Sequence, residues 1–214
     1  ERLVATPDSA AEFVQLSLQL PEAFSRLFVL LGHSRPLANH LVRGGWREFM
    51  GLSVEELAQP VTKEQIINRG RERLAQGVEV LAALRLTHRD FATRVLYHER
   101  ALQFPLEAVT AEISALADGA LQVACEYAKG EIARRRALPA GGDFRFCVIA
   151  FGKLGARELN YASDIDLSFV FDGEPAQPQE GRGLSGPEFA VKIAEAMIPL
   201  IDQVTEDGNV FRVD

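Results

Sequence analysis

From Pro105 onward the apolar residues Leu106, Val109, Ile113, Leu116, Ala120, Ala124 and Tyr127 recur at three- and four-residue steps. This is the longest periodic stretch in the chain, and its spacing places them on one face of a helix running to about Arg136. Arg134, Arg135 and Arg136 fall in its last turn, where positive charge complements the helix dipole, and read as a solvated helix end. Everything before Pro105 also reads as helix after helix. Ser53 with Glu56 and Thr62 with Gln65 are capping boxes, in which each side chain satisfies a free backbone N–H, and Ser9 with Glu12 is another. Pro21 suits a first helical turn and Gly32 a helix end. Helices are expected near 9–20, 21–31, 36–43, 54–58, 62–76 and 78–100.

The pattern changes at 138–143, where Pro139, Gly141 and Gly142 read as a linker. Residues 144–151 and 165–171 are apolar, β-compatible runs, and 172–186 reads as an exposed loop. Ser185 with Glu188 opens another helix to about Val204, with Pro199 expected to bend it near its end. Residues 210–214 read as a third strand entered through Asp207 and Gly208. The expected class is α+β: an all-helical domain over 1–138, then a mixed core over 139–214 with a small mixed sheet.

With 47% hydrophobic and 25% charged residues, the 214-residue chain can bury a core, and disorder is not the default. The net charge of −7 lacks the basic balance of a protein that grips a long nucleic acid. It leaves a small phosphate substrate open, because a bound divalent cation can reverse the local field. Cys125 and Cys147 read as small buried hydrophobes, too few for a disulfide framework or zinc site, and fit a reducing cytoplasm. No apolar run approaches the roughly 18 residues of a membrane span. Residues 1–11 lack a signal pattern, and the start without Met is that of a trimmed or processed piece.

The chemistry concentrates in 151–167. A buried strand ends at Phe151, and Gly152 lets the backbone turn with N–H groups free to meet an anion. Lys153 adds a positive point charge. After a short polar segment a strand begins at Asp164. Alternation puts Asp164, Asp166 and Ser168 on one face and Ile165, Leu167, Phe169 and Phe171 on the other. Two carboxylates facing the same way can hold hard cations, whose shells substrate phosphates complete. Asp214 is the natural third carboxylate, ending a strand whose alternation aligns Val210, Arg212 and Asp214. Ser163 can donate to a phosphate oxygen or cap a turn. His33, His40, His88 and His98 all lie in the helical part and read as surface or satisfied core residues. No Ser-His-Asp set or nucleophilic cysteine stands out.

These residues resemble a known family. Gly152-Lys153-Leu154-Gly155, Glu158-Leu159-Asn160-Tyr161 and Ser163-Asp164-Ile165-Asp166-Leu167 look like the glutamine synthetase adenylyltransferase family. Leu184-Ser185 with Glu188-Phe189 resembles its next helix start, and Leu116-Ala117-Asp118 the helix before its first strand. The stretch from Thr205-Glu206-Asp207-Gly208 through Phe211-Arg212-Val213-Asp214 resembles its third-carboxylate strand. The resemblance is specific over 144–171 and 184–214 and looser over 1–138. Ala156 stands where the family often has a second glycine, and the family continues past Asp214 into an arginine-rich segment.

The resemblance implies a DNA polymerase β-like nucleotidyltransferase core over 139–214, with Mg²⁺ or Mn²⁺ on Asp164, Asp166 and Asp214. It implies phosphate or nucleotide binding by Gly152, Lys153, Ser163 and Arg212. The implied partners are glutamine synthetase, a nucleotide (ATP or ADP), orthophosphate and a PII-type signalling protein, with neither nucleic acid nor membrane. Family members carry two catalytic halves, one attaching AMP to a tyrosine of glutamine synthetase and one removing it by phosphorolysis to release ADP. Glu158-Leu159-Asn160-Tyr161 with Ser163-Asp164-Ile165-Asp166 looks more like the N-terminal, AMP-removing half, and Phe211-Arg212-Val213-Asp214 points the same way. The alternatives are the adenylylating half, a nucleotidyltransferase with another acceptor, and a regulatory interaction module with a degenerate site.

Overall fold

The computed structural model describes residues 11, 14–15, 18, 21–41, 45–139, 142–178 and 183–214. In chain order the helices are α1 (Pro21–Leu31), α2 (Arg35–His40), α3 (Trp46–Met50), α4 (Val54–Ala58), α5 (Lys63–Ala75), α6 (Val80–Arg100) and α7 (Leu106–Arg135). Then follow β1 (Arg145–Ala150), α8 (Gly152–Gly155), β2 (Leu167–Asp172) and α9 (Gly186–Asp202). The class is α+β.

Local chemistry sets the helix starts. Ser53 Oγ accepts from Glu56 N–H at 3.1 Å, and the Glu56 carboxylate accepts from Ser53 N–H at 2.7 Å. Thr62 with Gln65 and Ser185 with Glu188 make the same reciprocal pairs. Pro199 lies inside α9, which continues to Asp202. The Ser9–Glu12 box and most of the helix expected at 9–20 lie outside the described residues, as do 42–43 of the helix expected at 36–43. Two short helices were not expected. Helix α3 has Gly45 at its N-cap and no side-chain cap bond, and it is held by burial of Trp46, Phe49 and Met50. Helix α8 is a single tight turn after β1.

Helix α7 is the axis of the fold, with α5, α6 and α9 packed along it. The α5–α7 approach is close: a Cβ at Gly119 would stand 2.6 Å from Ile66 Cγ2. The buried apolar residues form one continuous cluster from Leu27 to Phe211, crossing the boundary between the helical and mixed segments. Among the described residues no helix is long and apolar enough to cross a membrane.

β1 and β2 pair antiparallel, with Cys147 opposite Val170 and Ile149 opposite Ser168. The inner face carries Phe146, Val148, Leu167 and Phe169, which pack on the helical core. Phe144 joins it to α9, its ring 4.8 Å from that of Phe189. Alternation along β1 therefore turns Cys147 outward, where it is exposed; only Cys125 is partly buried. The third strand expected at 210–214 is reduced to one parallel bridge, Ile165 to Val213. Val210 and Phe211 instead donate their N–H groups to Ile201 O, the first at 3.0 Å. Both are buried, so Val210 does not share the exposed side of Arg212 and Asp214.

His98 and His40 are hydrogen-bonded within the core. His98, fully buried, bonds Glu112 through Nδ1 at 2.9 Å and Leu57 O through Nε2 at 2.7 Å. His40 pairs with Asp90 at 2.8 Å. His88 lies edge-on to Phe211, ring centroids 5.0 Å apart. Burial, with Arg89 and Arg85 nearby, pushes the His88 pKa down from 6.5 to about 4.

Between pH 6.5 and about 4 the unfolded chain therefore takes up a proton that folded His88 refuses, so stability falls as pH falls through that window. The full effect is on the order of 3 kcal/mol. His88→Phe, which keeps the ring contact, should flatten that limb of the urea midpoint plotted against pH; an unchanged slope would assign it to other groups.

Candidate active site

The turn after β1 is built around one glycine. Phe151 is extended and donates its N–H to Asp166 O at 2.9 Å. Gly152 then takes φ of 54°, a left-handed conformation that side chains disfavour. A Cβ at this position would stand 2.5 Å from Asp166 Oδ2, so the missing side chain is what lets the Asp166 carboxylate lie against the backbone. Buried Leu154 anchors the turn from beneath, and Gly155 and Ala156 close it by donating to Phe151 O and Gly152 O, each at 3.0 Å. Lys153 is exposed beside it.

Residues 156–163 lead to the carboxylates and are tied to the helical part. Leu159 is fully buried, and its N–H donates to Ser114 Oγ of α7 at 3.3 Å. Ser114 in turn donates to Thr110 O. Tyr161 OH donates to Glu99 of α6 at 3.1 Å, and burial together with Glu99 pushes its pKa up. Ser163 Oγ accepts from Asn160 N–H at 3.3 Å, so the hydroxyl caps this turn while its proton stays free to donate.

Ile165 is the pivot. It is fully buried, its N–H donates to Arg212 O at 2.9 Å, and its carbonyl accepts from Asp214 N–H at 3.0 Å. Leu167 N–H reaches Asp214 O at 3.3 Å. With Ile165 and Val213 paired in parallel, Asp164 neighbours Arg212 and Asp166 neighbours Asp214, all four on the face away from the core. Arg212 Nε stands 3.9 Å from Asp164 Oδ1, and its side chain is 68% exposed, so this ion pair is loose. Asp164 is half-buried, whereas Asp166 and Asp214 are exposed.

The sequence-derived residues Gly152, Asp164, Asp166, Arg212 and Asp214 are thus neighbours in space. Among the described residues no three acidic, histidine or cysteine side chains stand close enough together to hold an ion. Carboxylate oxygens are the donor type that Mg²⁺ and Mn²⁺ prefer, and that of Asp166 lies against the backbone at Gly152. Sequence reasoning missed the side chains that hold this region from below: Ser114, Glu99, Arg85 and Arg89. Their only signal was polar residues spaced along helices, which reads as a solvated face. Asp118 is also held among protein atoms, and burial pushes its pKa up.

The family profile for glutamate-ammonia ligase adenylyltransferase matches residues 24–214, and the chain belongs to that family. It is 42% identical over 143 residues, 64% of this chain and 14% of the relative, to the bifunctional glutamine synthetase adenylyltransferase/adenylyl-removing enzyme of Xanthobacter autotrophicus. To the proteins of that name from Bradyrhizobium sp. and Shewanella oneidensis it is 35% identical over 196 residues and 31% over 203. These alignments cover 87% and 88% of this chain and 20% of each relative, so the chain spans about a fifth of their length.

Gly152→Ala should cost about 1–3 kcal/mol in urea unfolding, from the positive φ and the contact with Asp166 together. Gly32→Ala, where a Cβ meets nothing within 4 Å, should be close to neutral. Equal effects at the two positions would show that the Asp166 approach imposes no constraint.

Proposed function

We propose that this chain is the catalytic core of a divalent-metal-dependent nucleotidyltransferase with a DNA polymerase β-like fold, acting on the AMP–tyrosine linkage of glutamine synthetase in the removing direction. The observation that carries this reading is the parallel pairing of 212–214 with 165–167, which sets Asp214 beside Asp166 on the exposed face. The relatives' name, which joins adenylyl transfer and adenylyl removal on glutamine synthetase, supports the substrate class. The wording of 158–161 and 211–214 favours removal over attachment.

In this reading Asp164, Asp166 and Asp214 would hold Mg²⁺ or Mn²⁺, their side chains drawing closer than they stand here. When bound, the metal neutralises charge on the phosphate oxygens and lowers the pKa of an oxygen it coordinates. Gly152 N–H and Lys153 hold phosphate at the turn, Ser163 donates its hydroxyl proton to a phosphate oxygen, and Arg212 offsets charge beside Asp164. Orthophosphate attacks the AMP phosphorus, the bond to the tyrosine oxygen breaks, and ADP and free tyrosine leave. The side chains position and neutralise rather than bond covalently. A nucleotide is then a product or effector of this half, and a PII-type protein a regulator of the whole enzyme.

Asp166→Asn in the full-length enzyme tests this. AMP removal from modified glutamine synthetase should fall about 100-fold or more, and Mn²⁺ titrated into this chain should bind the parent and not the variant. Removal at near wild-type rate would refute the assignment. A parent chain that binds neither Mn²⁺ nor nucleotide would favour the interaction module.

A further inference from the structure

Asp214 is six residues past Gly208, and the segment before it is held by side chains from another element. Arg85 of α6 is 1% exposed, and its guanidinium bonds backbone carbonyls. Nε donates to Gly208 O at 2.8 Å, Nη1 to Leu200 O at 3.2 Å, and Nη2 to Gln203 O. Its charge therefore lies at the C-terminal end of α9, where the helix dipole is negative, and one guanidinium binds both ends of the 203–208 turn. One helical turn on, Arg89 donates to Asp207 Oδ1 at 2.7 Å and to Asp207 O. Between them His88 packs on Phe211, three residues before Asp214.

The other carboxylate segment is held by the same helix. Glu99 of α6 accepts from Tyr161 OH, three residues before Asp164. At 100° per residue, Arg85, His88, Arg89 and Glu99 fall within about 100° of one another around α6, and Arg85 and Glu99 are about 21 Å apart along it. One rigid helix thus touches both chain segments that meet at the Ile165–Val213 bridge.

We infer that α6 is a strut that sets the register of Asp214 against Asp164 and Asp166, with Arg85 and Arg89 as positioning residues that reach the site only through the 203–208 turn. The geometry stands by itself; its consequence for metal binding rests on the function proposed above. The strut fixes one end of a pairing that consists of few backbone hydrogen bonds. If its hold is released, 212–214 can slip or detach while the helical core stays folded. Arg89 is the cleaner probe because it is only partly buried, at 16% side-chain exposure, and its loss orphans no buried carbonyl network like that around Arg85.

The test uses this chain with Arg89→Ala, Arg89→Lys and Arg85→Lys. Amide hydrogen exchange at Ile165 and Asp214 is followed by NMR beside amides of α5 and α7, and Mn²⁺ affinity is measured on the same samples. In Arg89→Ala the Ile165 and Asp214 amides should exchange about tenfold faster, the loss expected for a charge-assisted hydrogen bond, with α5 and α7 unchanged. Mn²⁺ should bind correspondingly more weakly, and Arg89→Lys should restore both, since lysine still reaches Asp207. Arg85→Lys, which cannot span three carbonyls, should show the larger local effect. Unchanged exchange at both amides in Arg89→Ala and Arg85→Lys overturns the strut. Faster exchange in a chain whose parent binds no Mn²⁺ upholds the strut and removes the metal reading instead.

Discussion

Three backbone hydrogen bonds between 165–167 and 212–214 decide how the acidic residues of this chain are arranged. Neither segment lies within a described strand: one is the entry to β2, and the other pairs with it through a single bridge. The pairing persists because Ile165 is buried completely and because Val210 and Phe211, just before it, are buried at the end of α9. Burial fixes which face of each segment points inward, and a side-chain period of two sends the intervening carboxylates outward. A one-residue slip would place Asp166 or Asp214 against the core, at the cost of desolvating an unpaired charge. The hydrophobic register and the exposed carboxylates are the same constraint seen from two sides.

The helical part carries several buried polar groups, and they set where its helices meet. Glu112 of α7 takes Val61 N–H at 2.9 Å and His98 of α6, while His98 donates to Leu57 O at the end of α4. Arg73 of α5 bonds Thr87 and Asp90 of α6, and Asp90 also takes His40 of α2. Such networks add little net stability against an apolar core of equal volume, but each is strongly destabilised by loss of one member. Their value lies in tying α6 to α2, α4, α5 and α7 in one rotational setting. That setting aims Arg85 and Glu99 at the two carboxylate segments.

The long helix, the three described capping boxes and the face shared by Asp164 and Asp166 were legible because each depends on residues a few positions apart. Asp214 was legible as a strand end, yet its strand was overestimated. The alternation over 210–214 competes with the pull of Ile201 O on Val210 and Phe211 N–H, a partner nine and ten residues upstream that no local pattern reveals. Helix α3 was missed because Gly45 supplies no cap and only tertiary burial of Trp46, Phe49 and Met50 sustains it. Cys147 was misplaced because a short apolar run does not say which of its two faces is covered. Arg85 and Arg89 were invisible for the opposite reason: arginines on a helix look solvated until another element is laid over them.

The site's dependence on distant support follows from its composition. Exposed carboxylates on neighbouring strands repel one another, and Arg212 and Lys153 are too exposed to hold them in place. Local side chains therefore cannot set the spacing, and backbone must. At the 151–155 turn the backbone does so through a glycine conformation that lets Asp166 lie against it, held by closure onto Phe151 and Gly152 and by buried Leu154. At the 203–208 turn Thr205 and Gly208 bond each other and Asp207 N–H bonds Thr205 Oγ1, and the turn is fastened from outside by α6. Both carboxylate segments are fastened to α6, and the one bearing Asp166 is also fixed by its own turn. An acidic centre built this way needs the helical part as much as the strands that bear its residues.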